Sequence, residues 1–529
     1  MRAIGIYWRT VRHLTCRQLW FQVWHRLRVR GRLRVPERGG AGHWLAVSAV
    51  DTMISDSYQP DSNTVTSLNQ SVSFPERIDW NYASNGKLWT YHLNYFDFLN
   101  QPGLNASAGL RLIRDFVSQS DTILDGLEAY PTSLRVMNWI RFLSRNQIYD
   151  HRIDTHLFAQ TARLRGRLEH HLGGNHLLEN SFALLLASLY FRHRRWFRKA
   201  RSLVRTELKR QILPDGGHAE RSPSYHNLLL EHLTCLTAAL RVDTWHSDPA
   251  LSPFLENKAD NMRNWLSAIT FQNGDCPVIN DCIPLTAQPT ASLTAPATQL
   301  SHSGYYFFRQ PQYELFVDAG AVGFDQQPGH AHADTFNFVL HVRGEPLIVD
   351  VGTSTYEPGE RRQWERSTAA HNTVEVAGQN SSEVWSNFRV GRRARVTVLD
   401  QTNQTLTARH DGYRHLGLIH ERAWTVAPDA LTIYDQLHAK AGCATHQSTA
   451  RFYFHPDQVV SRTDETILVR TTRLLFTSSG SIRVRLTAYK MADGFNRLRP
   501  ACCVEVDFTG KLSSFFHFSD DNPVPDILF

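Results

Sequence analysis

The hydrophobic period changes once along this chain of 529 residues, and that change limits what it can fold into. From about 75 to 285, apolar residues recur at spacings of three and four over 110–119, 131–147, 154–171, 175–191, 196–212, 223–242 and 253–271. Each stretch predicts a helix with one stripe to bury, and such a succession packs as a bundle, a solenoid or a closed α/α toroid. After a Pro-, Thr- and Ala-rich stretch over 284–302 the pattern becomes one of short alternating runs at 304–309, 313–318, 335–342, 346–351, 371–376, 394–399, 423–426, 430–434, 450–454 and 482–488. Many short strands without intervening helices predict a β-sandwich. The segments are therefore a basic aromatic stretch and connector over 1–73, a helical domain over 74–285, a linker over 286–302 and a sandwich over 303–529.

Two helix starts in the helical half carry chemistry. Gly173-Gly174-Asn175-His176 places Asn175 at an N-cap and His176 in the first turn. In Glu220-Arg221-Ser222-Pro223-Ser224-Tyr225-His226, Ser222 caps and Pro223 opens the helix, so Tyr225 falls in the first turn. There the helix dipole and Arg221 would favour a phenolate, which makes Tyr225 a candidate general base; the plainer reading is a packing tyrosine. In the strand-rich half, Gly329-His330-Ala331-His332-Ala333-Asp334 follows a Gly-rich turn. Two histidines at i and i+2 of extended chain point the same way. Asp350 ends the run Leu347-Ile348-Val349, and His371 opens His371-Asn372-Thr373-Val374. Arg361, Arg362 and Arg366 around Trp364 read as a basic aromatic loop suited to a sugar ring and its carboxylate, or as a solvated charge run.

These segments, taken in order, resemble the heparinase II/III family of polysaccharide lyases and their alginate-lyase relatives. The resemblance lies in Gly174-Asn175-His176-Leu177-Leu178-Glu179-Asn180, Glu220 to His226, Gly329 to Asp334, Leu347-Ile348-Val349-Asp350-Val351-Gly352 and Ala370-His371-Asn372-Thr373-Val374. It implies an α+β multidomain chain, an incomplete α/α toroid followed by an antiparallel β-sandwich. It also implies β-elimination at a 4-linked uronic acid. In that reading Asn175 neutralises the uronate carboxylate, Tyr225 and His330 exchange protons with C5 and O4, and His176, Glu220, Arg362 and Trp364 contact the sugar. Which of Tyr225 and His330 is the base is left open. His332, Asp350 and His371 resemble the ligands of a structural zinc, a donor set suited to that ion. No organic cofactor is implied.

Composition sets the outer bounds. Net charge is +7, which suits an acidic partner without identifying it: nucleic acid, an anionic lipid face and an acidic polysaccharide all fit. No nucleic-acid module is present. Seven cysteines give no disulfide or zinc-ribbon spacing and are read as reduced. Neither a signal-peptide core nor a membrane span is recognisable, so the expectation is cytoplasmic by default, with the periplasm open. Residues 1–36 interleave arginines with Trp8, Trp20 and Trp24, and a helix over about 16–30 follows from Thr15, Gln18, Gly31 and Pro36. Such a helix can lie on an anionic membrane; the plainer reading has its Trp and Leu side padding the next domain. Action on a polymer that the cell itself makes or exports is the expected setting. A glycan-binding assembly protein and a metal-dependent glycan hydrolase are the alternatives. The oligomeric state is not legible.

Overall fold

The computed structural model describes residues 2–27, 31–37, 39–47, 57–246, 248–287, 296–442, 446–463 and 466–519. The chain forms two compact units. One gathers Met1–His13, Leu213–His226 and Asn264–Phe529, and the other Leu14–Ile212 and Asn227–Arg263.

The helical unit holds Cys16–Leu27, Lys87–Tyr95, Ala106–Ser118, Ala129–Arg145, His151–Gly166, Gly174–Tyr190 and Arg194–Gln211. Its centre is Gly174–Tyr190, in which every residue but His176 is buried. A helix apolar on all sides belongs inside a layer of others, and this one packs on Ala129–Arg145 and Arg194–Gln211. Side chains close the starts of neighbouring helices: Asn105 accepts from the Ala108 amide at 2.8 Å, and Asp150 from those of Arg152 and Ile153. The helices form the α/α toroid part of the fold class.

Over the first 95 residues the structure departs from the sequence expectation in three places. Residues 57–73, expected as part of a connector, form an antiparallel sheet of Tyr58–Gln59, Thr64–Ser67 and Gln70–Ser73. Its second turn places Leu68 and Asn69 at φ 52° and 59°, the two positive angles of a primed hairpin turn; Leu is an unusual residue for that role, and it hid the hairpin. Helix Lys87–Tyr95 was not expected because it buries Thr90 and Asn94 beside Trp89 and Leu93, which blurs its period. The helix expected at 16–30 forms over Cys16–Leu27, residues 28–30 lying outside the described residues, and its Trp20, Trp24 and Leu27 are exposed rather than padding a domain.

The other unit is dominated by antiparallel sheets, the β-sandwich part of the fold. The largest has eight strands in the order Val396–Gln401, Thr405–His410, Leu418–Ala427, Ala430–Ala439, Lys511–Phe518, Thr472–Ser478, Thr466–Val469 and Ser461–Thr463. A four-stranded sheet pairs Arg483–Ala492, Leu498–Thr509, Gln447–Tyr453 and Val374–Val376. A five-stranded one runs from Ala297–Leu300 to Glu345–Ile348. Inward residues of all three, among them Leu315, Phe338, Trp424, Phe452 and Phe516, share one apolar core. Neither His330, His332 nor His371 lies in a strand; all three sit in the loops between strands.

Within the core, strand Leu418–Ala427 turns His420 and Arg422 inward beside Trp424. Arg422 places Nε 2.7 Å and Nη2 3.0 Å from the two oxygens of Asp435, and His420 Nε2 lies 2.7 Å from the same carboxylate. Arg422 Nη1 donates to the carbonyls of Phe336 and Asn372, tying the core to the loops that carry the histidines. Burial pushes the Asp435 carboxyl up, but Arg422 and His420 outweigh it and hold it below the usual range. Arg422→Met strands that charge and should cost about 3–5 kcal/mol of unfolding free energy in urea. A carboxylate depressed in the folded state contributes fully above its unfolded value and loses its contribution as pH falls through the folded one. The gap between wild type and variant should therefore narrow below roughly pH 4.

Candidate active site

The strand-rich unit assembles a polar cluster around one carboxylate, that of Asp281. Asn280, at φ 55°, turns the chain so that its amide oxygen accepts from the His332 backbone N–H at 3.0 Å. The Asp281 N–H donates to the His330 carbonyl at 3.1 Å. The two segments are thus zipped together, and both histidines reach Asp281. His330 Nδ1 lies 3.0 Å from Oδ2 and His332 Nε2 lies 2.9 Å from Oδ1. Arg362 closes the set with a two-pronged pair, Nη1 to Oδ1 at 2.5 Å and Nη2 to Oδ2 at 2.7 Å. Burial opposes ionisation of Asp281, yet Arg362 and the two imidazoles hold its carboxyl well below the usual range. Asp281 is therefore a fixed negative charge behind His330.

Tyr225 stands beside that imidazole. Its ring centroid is 4.1 Å from that of His330, and its hydroxyl lies 3.0 Å from the hydroxyl of Tyr356. Phe388 packs on Tyr356 at 5.1 Å and approaches His330 at 6.1 Å. Glu220 is buried, with Oε2 3.6 Å from His330 Nε2. The phenolate expected at Tyr225 is not favoured here. Burial raises its pKa, and Asp281 and Glu220 add to the rise, while the Tyr356 hydrogen bond and Arg362 oppose it without outweighing it. Arg221 does not assist, because its guanidinium is spent on the carbonyls of Ser303, Ala321 and Gly323. At neutral pH Tyr225 carries its proton.

The residues named for sugar contact are placed differently from one another. Arg362 and Trp364 lie on a short helix, Glu360–Glu365, rather than in a loop. Arg362 is fully buried on Asp281. Trp364 packs 6.3 Å from Tyr453, with the Arg361 guanidinium 4.8 Å from its ring. In the helical unit, Asn175 is the second residue of Gly174–Tyr190 instead of its cap, which falls on Gly173 at φ 73°. Asn175 is buried. His176 Nδ1 lies 3.3 Å from Glu169 Oε2, and its ring is 4.2 Å from that of Tyr130.

His332, Asp350 and His371 are all buried. Asp350 stands behind His371, with Oδ2 2.7 Å from Nδ1, and also accepts from Asn337 Nδ2 and the Gly352 N–H. That leaves His371 Nε2 and His332 Nδ1 as buried ring nitrogens without a hydrogen-bond partner, in rings 5.3 Å apart. Burial raises the nearby carboxyls of Asp318 and Asp334, the latter to about 6. Among the described residues no group of three or more His, Cys, Asp or Glu side chains is disposed as a metal cage. The donors fit a cation in part: two imidazoles are free for it, while Asp350 is engaged in orienting one of them.

Asp281, Tyr356 and Phe388 were not singled out from sequence. The only signal was the polar pair Asn280-Asp281 between Ile279 and Cys282 in an otherwise apolar stretch.

Comparison with known proteins places the helical region and the antiparallel sheets in one family. Residues 132–300 match the Heparinase II/III N-terminus and residues 293–523 the Heparinase II/III-like, C-terminal family. The chain belongs to the heparinase II/III family. A solved Heparinase III superposes with TM-score 0.69 at 14% identity, covering 95% of this chain and 89% of that one. A heparan sulfate lyase mutant from Pedobacter heparinus gives TM-score 0.60 at 16% identity, covering 96% and 89%. At these identities the likeness is one of fold. Among curated relatives, FtsZ-localized protein C of Caulobacter vibrioides is 28% identical over 295 residues, covering 50% of each chain. A heparin-sulfate lyase of Pedobacter heparinus is 25% identical over 247 residues, covering 39% of this chain and 36% of that protein. The chain thus spans half the length, or less, of these curated relatives.

Proposed function

We propose that the protein is a polysaccharide lyase that cleaves a uronate-containing acidic polysaccharide by β-elimination. The observation that carries the reading is the His330 imidazole, backed by the Asp281 carboxylate at 3.0 Å and packed against the ring of a protonated Tyr225. The relatives named as heparin-sulfate lyases support the substrate class. In this reading His330 takes the C5 proton, and the fixed charge of Asp281 stabilises the imidazolium that forms. The electron pair left at C5 forms the C4–C5 double bond as the O4 bond breaks, and Tyr225 donates its proton to the departing oxygen. Asn175, with His176, neutralises the uronate carboxylate, whose charge grows toward the enolate-like transition state. Glu220 accepts a sugar hydroxyl. Trp364 is assigned to the sugar ring, whereas Arg362, buried on Asp281 and lying over the Tyr356 ring, is assigned to positioning the cluster rather than to direct sugar contact.

The test is the mass of the product ends. Elimination leaves one end lighter by a water than a hydrolysed end. Hydrolysed ends would establish the hydrolase in its place, and intact polymer that is nevertheless bound would establish the assembly role.

We also propose that His332 and His371 hold a divalent metal, zinc by donor type, with Asp350 as the carboxylate arm of the site. Two partnerless ring nitrogens beside three buried carboxylates support this, since the cluster calls for positive charge. The ion would supply structural bracing of the loop that carries His330. Elemental analysis of the purified protein should find about one equivalent of metal, lost in His371→Ala. Metal-free protein of unchanged thermal stability on chelation would remove the proposal.

A further inference from the structure

Helix Cys16–Leu27 is inverted relative to an ordinary surface helix, with its polar side turned in and its apolar side turned out. On the inner side the Gln18 amide donates to the Leu172 carbonyl at 3.2 Å, Arg17 meets His170 at 3.1 Å, and Phe21 lies 4.7 Å from the His170 ring. His25 stacks on His171 at 4.0 Å. On the outer side Leu19, Trp20, Val23, Trp24 and Leu27 form a continuous stripe at spacings of three and four, with Trp20 60%, Val23 60% and Leu27 74% exposed. Single exposed apolar side chains are ordinary, but five on one helical face mark a surface made to be covered.

The charge around the stripe says what covers it. Residues 14–36, which carry the stripe, contain six arginines and no aspartate or glutamate; the first acidic residue of the chain is Glu37. Arg26, Arg32 and Arg34 are exposed. A helix with Trp and Leu on one face and only basic charged residues along its own and its flanking sequence suits the boundary of an anionic bilayer, where tryptophan rings sit at the headgroup level. The helix is too short to cross a membrane, and no helix among the described residues is long and apolar enough to do so. An acidic polysaccharide would satisfy the arginines but leave the Leu19, Val23 and Leu27 side chains in water. We propose that Cys16–Leu27 is an in-plane anchor that docks the protein on an anionic lipid surface. This inference stands apart from the lyase reading.

The test is co-sedimentation of the full chain with vesicles of phosphatidylcholine alone and of phosphatidylcholine mixed with phosphatidylglycerol. Binding is expected to the anionic vesicles, weakening as salt rises. Trp20→Ser/Val23→Ser/Leu27→Ser should lower partitioning about tenfold or more, with the thermal midpoint unchanged because these side chains touch solvent. Arg26→Glu/Arg34→Glu, which leaves the stripe intact, should abolish the preference for phosphatidylglycerol. Failure to bind either vesicle overturns the proposal. So does binding that ignores both variants, and so does capture by soluble heparin without any binding to vesicles.

Discussion

Tyr225→Phe is expected to lower turnover of a uronate polysaccharide by a factor of about 100 to 10,000, with affinity for the polymer nearly unchanged. The substitution removes one hydroxyl and its 3.0 Å contact with Tyr356, while the ring remains against His330. Loss of that hydrogen bond costs on the order of 1 kcal/mol of stability, far too little to unfold the unit. The leaving oxygen, however, has lost its proton donor. Because burial keeps Tyr225 protonated, its ionisation should not limit activity on the alkaline side until well above neutrality. The decisive readout is kcat against KM: a packing role for Tyr225 would change both slightly, and a proton-donor role lowers kcat alone.

Arg362→Met should be the most damaging single change in the cluster. It leaves Asp281 buried with two imidazoles and no permanent cation, which costs about 3–5 kcal/mol. The same change frees the carboxylate that fixes His330, so turnover should fall even at temperatures where the variant is folded. The double variant Arg362→Met/Asp281→Asn removes both charges and should recover much of the stability but none of the activity. Thermal melts and initial rates on the two variants separate these effects. If the single and double variants are equally unstable, the pair is not the hub that its 2.5 and 2.7 Å contacts describe.

The division into a helical region and a strand-rich one was legible from the change of hydrophobic period, and so were the long helices, whose apolar residues recur at spacings of three and four even where, as in Gly174–Tyr190, nearly every residue is buried. Pro223–Val242 begins at Pro223 as its Ser-Pro start implies, and paired strands such as Tyr313–Asp318 fall where the alternation places them. Elements whose burial does not follow a period were illegible. Lys87–Tyr95 mixes Asn94 and Thr90 into its buried face, and the Leu68-Asn69 turn uses a residue that rarely adopts positive φ. In the site, His330 and His332 were legible as a pair facing one way, and they meet on one carboxylate. That carboxylate was not legible. Asp281 lies 49 residues from His330 and 81 from Arg362, and nothing in the local sequence marks a side chain whose importance comes from long-range contacts. Arg362 shows the same limit from the other side: its neighbours Arg361 and Arg366 suggested a sugar-facing cluster, whereas burial on Asp281 gives it an internal partner. The state of Tyr225 also depended on its surroundings, because the dipole of its helix favours a phenolate and the burial around it does not.

The most direct test of the central claim is the ultraviolet absorbance of the conjugated uronate formed when the wild-type protein is incubated with a panel of heparan, hyaluronan, alginate, pectic and bacterial uronate polymers. A rise is expected with at least one polymer, and a rise slower by about 100-fold or more when Tyr225→Phe takes the place of the wild type. Chain shortening without that absorbance, or an equal rise from Tyr225→Phe, would contradict that claim.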